Sequence, residues 1–226
     1  MIDIVTLTWN RPNYLRNCLD SILKFSEGNV NKIFVVINEY NNSYDFLDDY
    51  EDANLEVIKL TTNEGVVARN HALKQCTSEY VAQIDDDVCV QEGWESKVLS
   101  MLVDDVKGVG PQGGWVLSDL SNYFTPNATP SIGQYTDVLT GFFWVFKNNK
   151  FLYDETFGMH WHEETDLQFQ MREAGYRFKI CDTVCIHHHA QKQNHWMEYH
   201  DPNVKKVQDK WLHKKEELHF EKHNTY

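Results

Sequence analysis

No stretch of the chain comes near the roughly 18 consecutive apolar residues of a membrane-spanning helix, and a mean hydropathy of −0.55 agrees with that. A basic leader followed by an apolar core is also missing. Met1-Ile2-Asp3 runs straight into a strand-like segment, so no signal peptide is expected. Positive charge is scarce: 21 Lys and Arg stand against 34 Asp and Glu, a formal net charge of −13. Such a chain lacks the basic surface that non-specific nucleic-acid binding requires. An anionic small substrate then needs a metal ion or a local basic pocket. The cysteines, Cys18, Cys76, Cys89, Cys181 and Cys185, are odd in number and fit neither disulfide nor zinc-finger spacing. Reduced core cysteines in a cytoplasmic protein are expected. Internal repeats and low-complexity segments are absent.

What is present is globular. The 226 residues, 42% hydrophobic and 13% aromatic, suffice for one large domain with a sizeable core. Short apolar runs at 2–9, 32–38, 55–60 and 79–84 alternate with helical patterns: one opened by Pro12, one over 64–75 and one over 92–103. That alternation predicts a parallel sheet in an α/β domain. Beyond the glycine-rich 108–115 lies a loop-like stretch, 117–135, rich in Pro, Gly, Ser and Asn. A strand or strand pair over 136–147, a helix over 162–175 and a strand over 176–189 follow. From Asn194 the chain turns polar and amphipathic, with Val204, Val207, Trp211 and Leu218 on one stripe, and predicts a helical tail. The division expected is a domain over 1–189, in halves 1–116 and 117–189, with an extension over 190–226.

The chemistry gathers in Gln83-Ile84-Asp85-Asp86-Asp87-Val88. Three adjacent carboxylates repel one another, and they follow directly on an apolar strand. In an open parallel sheet ligands bind beyond the carboxyl ends of the strands, and clustered carboxylates there suit a hard divalent cation. An acidic turn is the plainer alternative. Upstream, Asn63-Glu64-Gly65-Val66-Val67-Ala68-Arg69-Asn70 offers a strand-to-helix turn with a cation one turn in. Downstream come Thr140-Gly141-Phe142-Phe143-Trp144, Asp154-Glu155-Thr156-Phe157 and the acidic helix start Glu163-Glu164-Thr165-Asp166-Leu167.

In that order, over about residues 2–189, these segments resemble the family 2 inverting glycosyltransferases. The resemblance implies a GT-A fold: a Rossmann-like, nucleotide-binding, mostly parallel central sheet with flanking helices, here with a C-terminal helical tail. It implies a nucleoside-diphosphate sugar donor, a UDP-sugar first of all, a saccharide or other hydroxyl acceptor, and Mn²⁺ or Mg²⁺ as cofactor. In that family the D-x-D motif holds the metal on the donor diphosphate; Asp85 and Asp87 become its ends, both metal-site residues, with Asp87 the expected direct ligand and Asp85 or Asp86 facing the ribose. Thr8, Asn10, Arg11, Glu39, Asn63 and Arg69 are carried over to the nucleotide pocket; many relatives have Asp near the position of Glu39. Glu164 is the expected general base and Glu163 the alternative, with Asp166 capping or orienting. Acidic residues also favour helix N-termini for dipole reasons. One of His187, His188 and His189 completes the metal site, His188 by preference, although alternation along a strand leaves the choice open. Trp115, Trp144 and Trp161 are sugar-platform candidates, with the buried core as the alternative, and Gly113-Gly114 allows close approach of a substrate. Any membrane-bound acceptor would be met by peripheral association. Two rivals remain: a sugar-nucleotide-forming nucleotidyltransferase, which the glycine-free Thr8-Trp9-Asn10-Arg11-Pro12 turn disfavours, and a non-catalytic carbohydrate-binding protein on the same fold.

Overall fold

Runs rich in Val and Ile extend because a strand covered on both faces rewards β-branched residues. In the computed structural model, which describes residues 1–50, 54–124, 131–157, 159, 161–182, 184–188 and 197–221, four such runs become β1 (Ile2–Thr8), β2 (Val30–Ile37), β3 (Leu55–Lys59) and β4 (Tyr80–Ile84). They lie parallel in the order β3-β2-β1-β4. Helix α1 (Pro12–Lys24) joins β1 to β2 and buries Leu15, Cys18, Leu19 and Ile22 against the sheet. The chain runs outward from β1 to β3 and then returns to the other side of β1, so the carboxyl ends of β1 and β4 form a topological switch point.

The helix expected over 64–75 is shorter. A 3₁₀ turn, Val66–Arg69, leads into α2 (Asn70–Leu73). Two constraints act on it. Gly65 has φ 71° and lies so close to the backbone of Met159 that a Cβ would be 2.7 Å from its carbonyl oxygen. Asn70 donates to the Tyr153 carbonyl and accepts from the Tyr153 amide, each at 2.9 Å. After β4 come β5 (Val88–Val90), α3 (Trp94–Met101), β6 (Val106–Gly110), β7 (Gly113–Val116) and the two-residue β8, Tyr123–Phe124. The expected 136–147 strand divides into β9 (Tyr135–Thr136), β10 (Val138–Leu139) and β11 (Phe143–Lys147). The remainder is α4 (Glu163–Glu173), β12 (Arg177–Ile180), β13 (Cys185–His187) and α5 (Met197–Trp211), continued by a 3₁₀ turn, Leu212–Leu218. A 3₁₀ segment over Asn42–Tyr50, which buries Tyr44 and Leu47, is not among the helices expected from the sequence.

Eight strands form one mixed sheet, β3-β2-β1-β4-β11-β6-β12-β9. β11 is antiparallel to both of its neighbours, β4 and β6. Alternate side chains supply two cores. Ile33, Val35 and Ile37 join Leu15, Leu19 and Trp94 on one face, while Phe34 and Val36 join Trp144, Leu167 and Met171 on the other. A third cluster, with Phe169, Val207, Trp211 and Leu218, seats the tail on α4. Among the described residues no helix is long and apolar enough to cross a membrane.

One buried acid ties β1 to the approach of β4. Asp3 accepts from the amides of Thr77 (2.6 Å) and Ser78 (2.8 Å), from Ser78 Oγ (2.8 Å) and from Asn31 Nδ2 (2.9 Å). Burial pushes its carboxyl up, but these hydrogen bonds outweigh that and hold it below the usual carboxylate value. A depressed folded value adds stability above the unfolded value, near 4, and that stability is lost as pH falls through the folded value. Asp3→Asn is therefore expected to destabilise by about 1–3 kcal/mol at neutral pH. The difference from wild type should narrow below about pH 4. Denaturant melts at neutral pH and near pH 3 check both statements.

Candidate active site

The three carboxylates at the end of β4 are dealt with one by one. Asp85 pairs with Arg69 Nη2 at 2.5 Å. Asp86 accepts from Thr8 Oγ1 at 2.7 Å and from Arg11 Nη1 at 3.2 Å. Asp87 lies 3.7 Å from the same guanidinium and 3.3 Å from His187 Nε2. Two arginines thus answer the mutual repulsion, and the His187 imidazole stands beside the third carboxylate. The compensation is partial: burial raises the Asp86 carboxyl to about 7, although Arg11 and Thr8 pull it down. Asp85 is also raised, by burial and by the Asp87 charge, against the opposing pull of Arg69. Arg69 is buried, at 3% side-chain exposure. Burial disfavours its charge, but its acidic neighbours, Asp85 foremost, more than compensate.

Long-range pairing sets the histidine. β13 runs antiparallel to β5 with His187 opposite Val88, which brings its imidazole beside Asp87 and stacks it on Phe142 at 4.4 Å. His188, the histidine preferred from the sequence, has an exposed side chain and gives only its backbone amide to the Asp87 carbonyl, at 2.8 Å. His189 lies outside the described residues. A carboxylate oxygen and an imidazole nitrogen converging on one point form a donor set that Mn²⁺ fits better than Mg²⁺, whose shell is all oxygen. Among the described residues no three His, Cys, Asp or Glu side chains are grouped as a complete metal shell.

The acids of α4 separate by environment. Glu164 is 24% exposed, with Oε1 3.9 Å from Arg69 Nη1. It rests against Gly141, where a Cβ would come within 2.7 Å of that oxygen. Glu163 is 1% exposed. Burial, the Glu164 charge and a hydrogen bond to Glu164 push its carboxyl well above the ordinary range, against the pull of its own backbone amide and of Arg69. Asp166, grouped with these acids in the sequence, turns away to the tail. Trp211 Nε1 donates to it at 2.6 Å, Gln170 Nε2 at 2.9 Å and Lys210 Nζ at 3.0 Å.

The residues carried over to a nucleotide pocket meet unequal partners. Thr8 and Arg11 meet Asp86 as above. Both also touch the buried Tyr44 hydroxyl, Thr8 Oγ1 at 3.2 Å and the Arg11 amide as donor at 3.1 Å. Tyr44 sits in the unexpected 3₁₀ segment and gave no sequence signal. Asn10 (φ 55°) and Glu39 (φ 58°) occupy left-handed turns after β1 and β2. Glu39 accepts from Trp9 Nε1 at 3.0 Å, and Asn10 accepts from Asn41 Nδ2 at 3.5 Å. Asn63 and Asn38 shape the Gly65 loop: Asn63 accepts the Gly65 amide at 2.9 Å, and Asn38 donates to the Gly65 carbonyl at 3.0 Å. Trp144 is fully buried and stacks on Phe146, so it belongs to the core and not to a sugar platform. Trp115 and Trp161 are half-buried. Gly113 makes room for β10 instead of for a substrate, because a Cβ there would collide with Val138 and Thr136.

With that geometry in view, comparison with known proteins is informative. The sequence profile of glycosyl transferase family 2 matches residues 3–179. A Bacillus subtilis (strain 168) protein named for teichuronic acid biosynthesis as a glycosyltransferase, TuaG, is 31% identical over 90 residues, which cover 38% of this chain and only 36% of that relative. The mannosyltransferase PcManGT from Pyrobaculum calidifontis, solved with GDP-Man and Mn²⁺, superposes with a TM-score of 0.66 at 16% identity, over 96% of this chain and 69% of that one. S. aureus TarS 1-349, solved with UDP-GlcNAc, superposes with a TM-score of 0.66 at 16% identity, over 87% and 60%. At such identities the likeness carries the fold, which is GT-A. The profile match takes in β1 through β12, including the triple aspartate and the acidic start of α4, and so the chain belongs to glycosyl transferase family 2.

Proposed function

We propose that this chain transfers a sugar, with inversion, from a nucleoside-diphosphate sugar to an acceptor hydroxyl, with the help of a divalent metal ion. One observation carries the reading. At the switch point a half-exposed glutamate, Glu164, stands one guanidinium away from the carboxylate cluster that follows β4. A base and an anion-handling centre therefore face a common cleft.

Asp87 and His187 are the proposed metal ligands, in place of the set Asp87, Asp85 and His188 expected from the sequence, because Asp85 is paired with Arg69 and the His188 side chain is exposed. When bound there, the metal neutralises charge on the departing diphosphate. The protein's own groups do the rest. Arg11 and Thr8 hold Asp86, and Arg69 holds Asp85, so that the cluster stays ordered without its charges meeting directly. Trp9, Asn10, Glu39 and Asn63 shape the nucleotide side of the cleft. Glu164 takes the proton from the acceptor hydroxyl as that oxygen attacks the anomeric carbon. Burial and the Glu164 charge raise the carboxyl of its neighbour Glu163, which disfavours a second anion beside the base. Trp161 and Trp115, both half-buried, are the proposed platforms for a saccharide acceptor. The mannosyl and N-acetylglucosaminyl donors bound by the two similar structures make GDP- and UDP-sugars the first to try.

A thermal-shift panel tests this reading. UDP, GDP, UDP-GlcNAc and GDP-mannose are each added with and without Mn²⁺, and any donor that binds is assayed for turnover. At least one diphosphate is expected to raise the melting temperature, and only with the metal present. A panel with no metal-dependent shift sinks the proposal.

A further inference from the structure

Immediately before Glu163 two bulky residues in succession, Trp161 (φ 79°) and His162 (φ 65°), take the left-handed conformation. Side chains other than glycine resist it, and it persists only where the surroundings over-determine it. Here much of the surroundings come from the C-terminal tail. Asn203, 1% exposed in α5, donates from Nδ2 to the Trp161 carbonyl at 2.8 Å. The His162 carbonyl accepts the Asp166 amide at 2.9 Å, and the Asp166 carboxylate is held in turn by Trp211 Nε1 at 2.6 Å and by Lys210. Trp211 packs edge-on against Phe169 one turn further along α4. At the far end of the same helix, Arg172 donates to the carbonyls of Leu218 and His219. The tail therefore grips α4 at both ends, and its first grip falls on the turn that launches Glu163 and Glu164.

We infer that the C-terminal tail, through Asn203 and Trp211, positions the base: it locks the left-handed turn so that Glu164 stays against Arg69 and Gly141. The inference rests on reading Glu164 as the base. Neither Asn203 nor Trp211 touches a reacting atom, so both are positioning residues, and the extension after the sheet is part of the catalytic apparatus. An offset of about an ångström in a reacting group costs up to roughly a hundredfold in rate, which is the scale such a lock protects.

The test uses the full chain. Asn203→Ala removes the donor to the Trp161 carbonyl, and Trp211→Phe keeps an aromatic ring on Phe169 but removes the indole N–H. In both variants amide exchange at 161–166 is expected to quicken roughly tenfold or more. Exchange in β1 and β4 should stay as in wild type, as should the melting shift with Mn²⁺ and whichever of UDP or GDP shifts the wild type. With the donor that the wild type turns over in the panel, kcat should fall roughly ten- to a hundredfold while the donor KM stays within about twofold. Asn203→Gln, which keeps an amide donor, should recover part of the loss. Unchanged exchange at 161–166 in both variants overturns the inference. So does faster exchange with unchanged kcat, or a parallel loss of diphosphate binding. Glu164→Gln in the same assay separates the two claims. If it loses turnover and Asn203→Ala does not, the positioning role falls and the base assignment stands. If it keeps turnover, the base assignment falls, and with it the role of the tail in holding a base.

Discussion

Glu164→Gln is expected to leave metal-dependent diphosphate binding nearly unchanged and to cut turnover about a hundredfold or more, the usual scale for losing a general base. The substitution keeps the size of the side chain and most of its hydrogen bonding, and removes its basicity. Of the three acids that open α4, Glu164 suits the role because it combines exposure with a nearby cation of the cluster: it is 24% exposed and 3.9 Å from Arg69 Nη1. The neighbouring acids are informative controls. Glu163 is buried, and burial and the Glu164 charge raise its carboxyl, so it has little access to an acceptor and Glu163→Gln should cost much less turnover than Glu164→Gln. Asp166→Asn should act on stability, because both carboxylate oxygens serve the tail through Trp211 and Lys210, with Gln170 of the same helix as a further donor. Kinetics with donor affinity measured separately, and with Mn²⁺ present, distinguish these outcomes. A large loss in Glu163→Gln with none in Glu164→Gln would move the base by one residue.

Asp87→Ala is expected to abolish both the metal-dependent thermal shift and turnover, with the fold retained. The side chain is buried, and its removal withdraws a partner from Arg11 and His187. Arg11 keeps Asp86 at 3.2 Å, which is why the chain should still fold. His187→Ala should weaken the metal response by roughly ten- to a hundredfold, the scale for losing one group that shapes a metal site. His188→Ala should leave it alone, because that side chain is exposed and only its backbone amide reaches Asp87. Isothermal titration with Mn²⁺ and diphosphate reads these effects. Full activity of Asp87→Ala, or wild-type activity undiminished by excess chelator, would remove Asp87 from the metal site.

Some of the architecture was determined by local sequence. β1 to β4 and α1 were legible because a doubly covered strand must be apolar throughout, and because a helix lying on a sheet must bury a stripe at a spacing of three and four residues. The triple aspartate pointed to a strand-end site for the same reason: so much like charge beside a buried strand needs compensation. The order of the triple aspartate, Gly141 and the α4 acids was legible as a family pattern. Other decisions belonged to the tertiary structure. That β11 enters the sheet antiparallel between β4 and β6 depends on pairings between residues about 60 and 35 positions apart, such as Phe143 with Ile84 and Val145 with Val109, which no local pattern encodes. The choice of His187 over His188 as the neighbour of Asp87 was made by the register of β13 on β5, since a shift of one residue exchanges the two faces of a strand. Glu164 and Asp166 are two positions apart on one helix and chemically alike. What separates them is that Trp211 and Lys210, some 45 residues later, capture one carboxylate and leave the other beside Arg69. Spacing along a chain tells which side chains share a face, but only the packing of distant segments decides what each face meets.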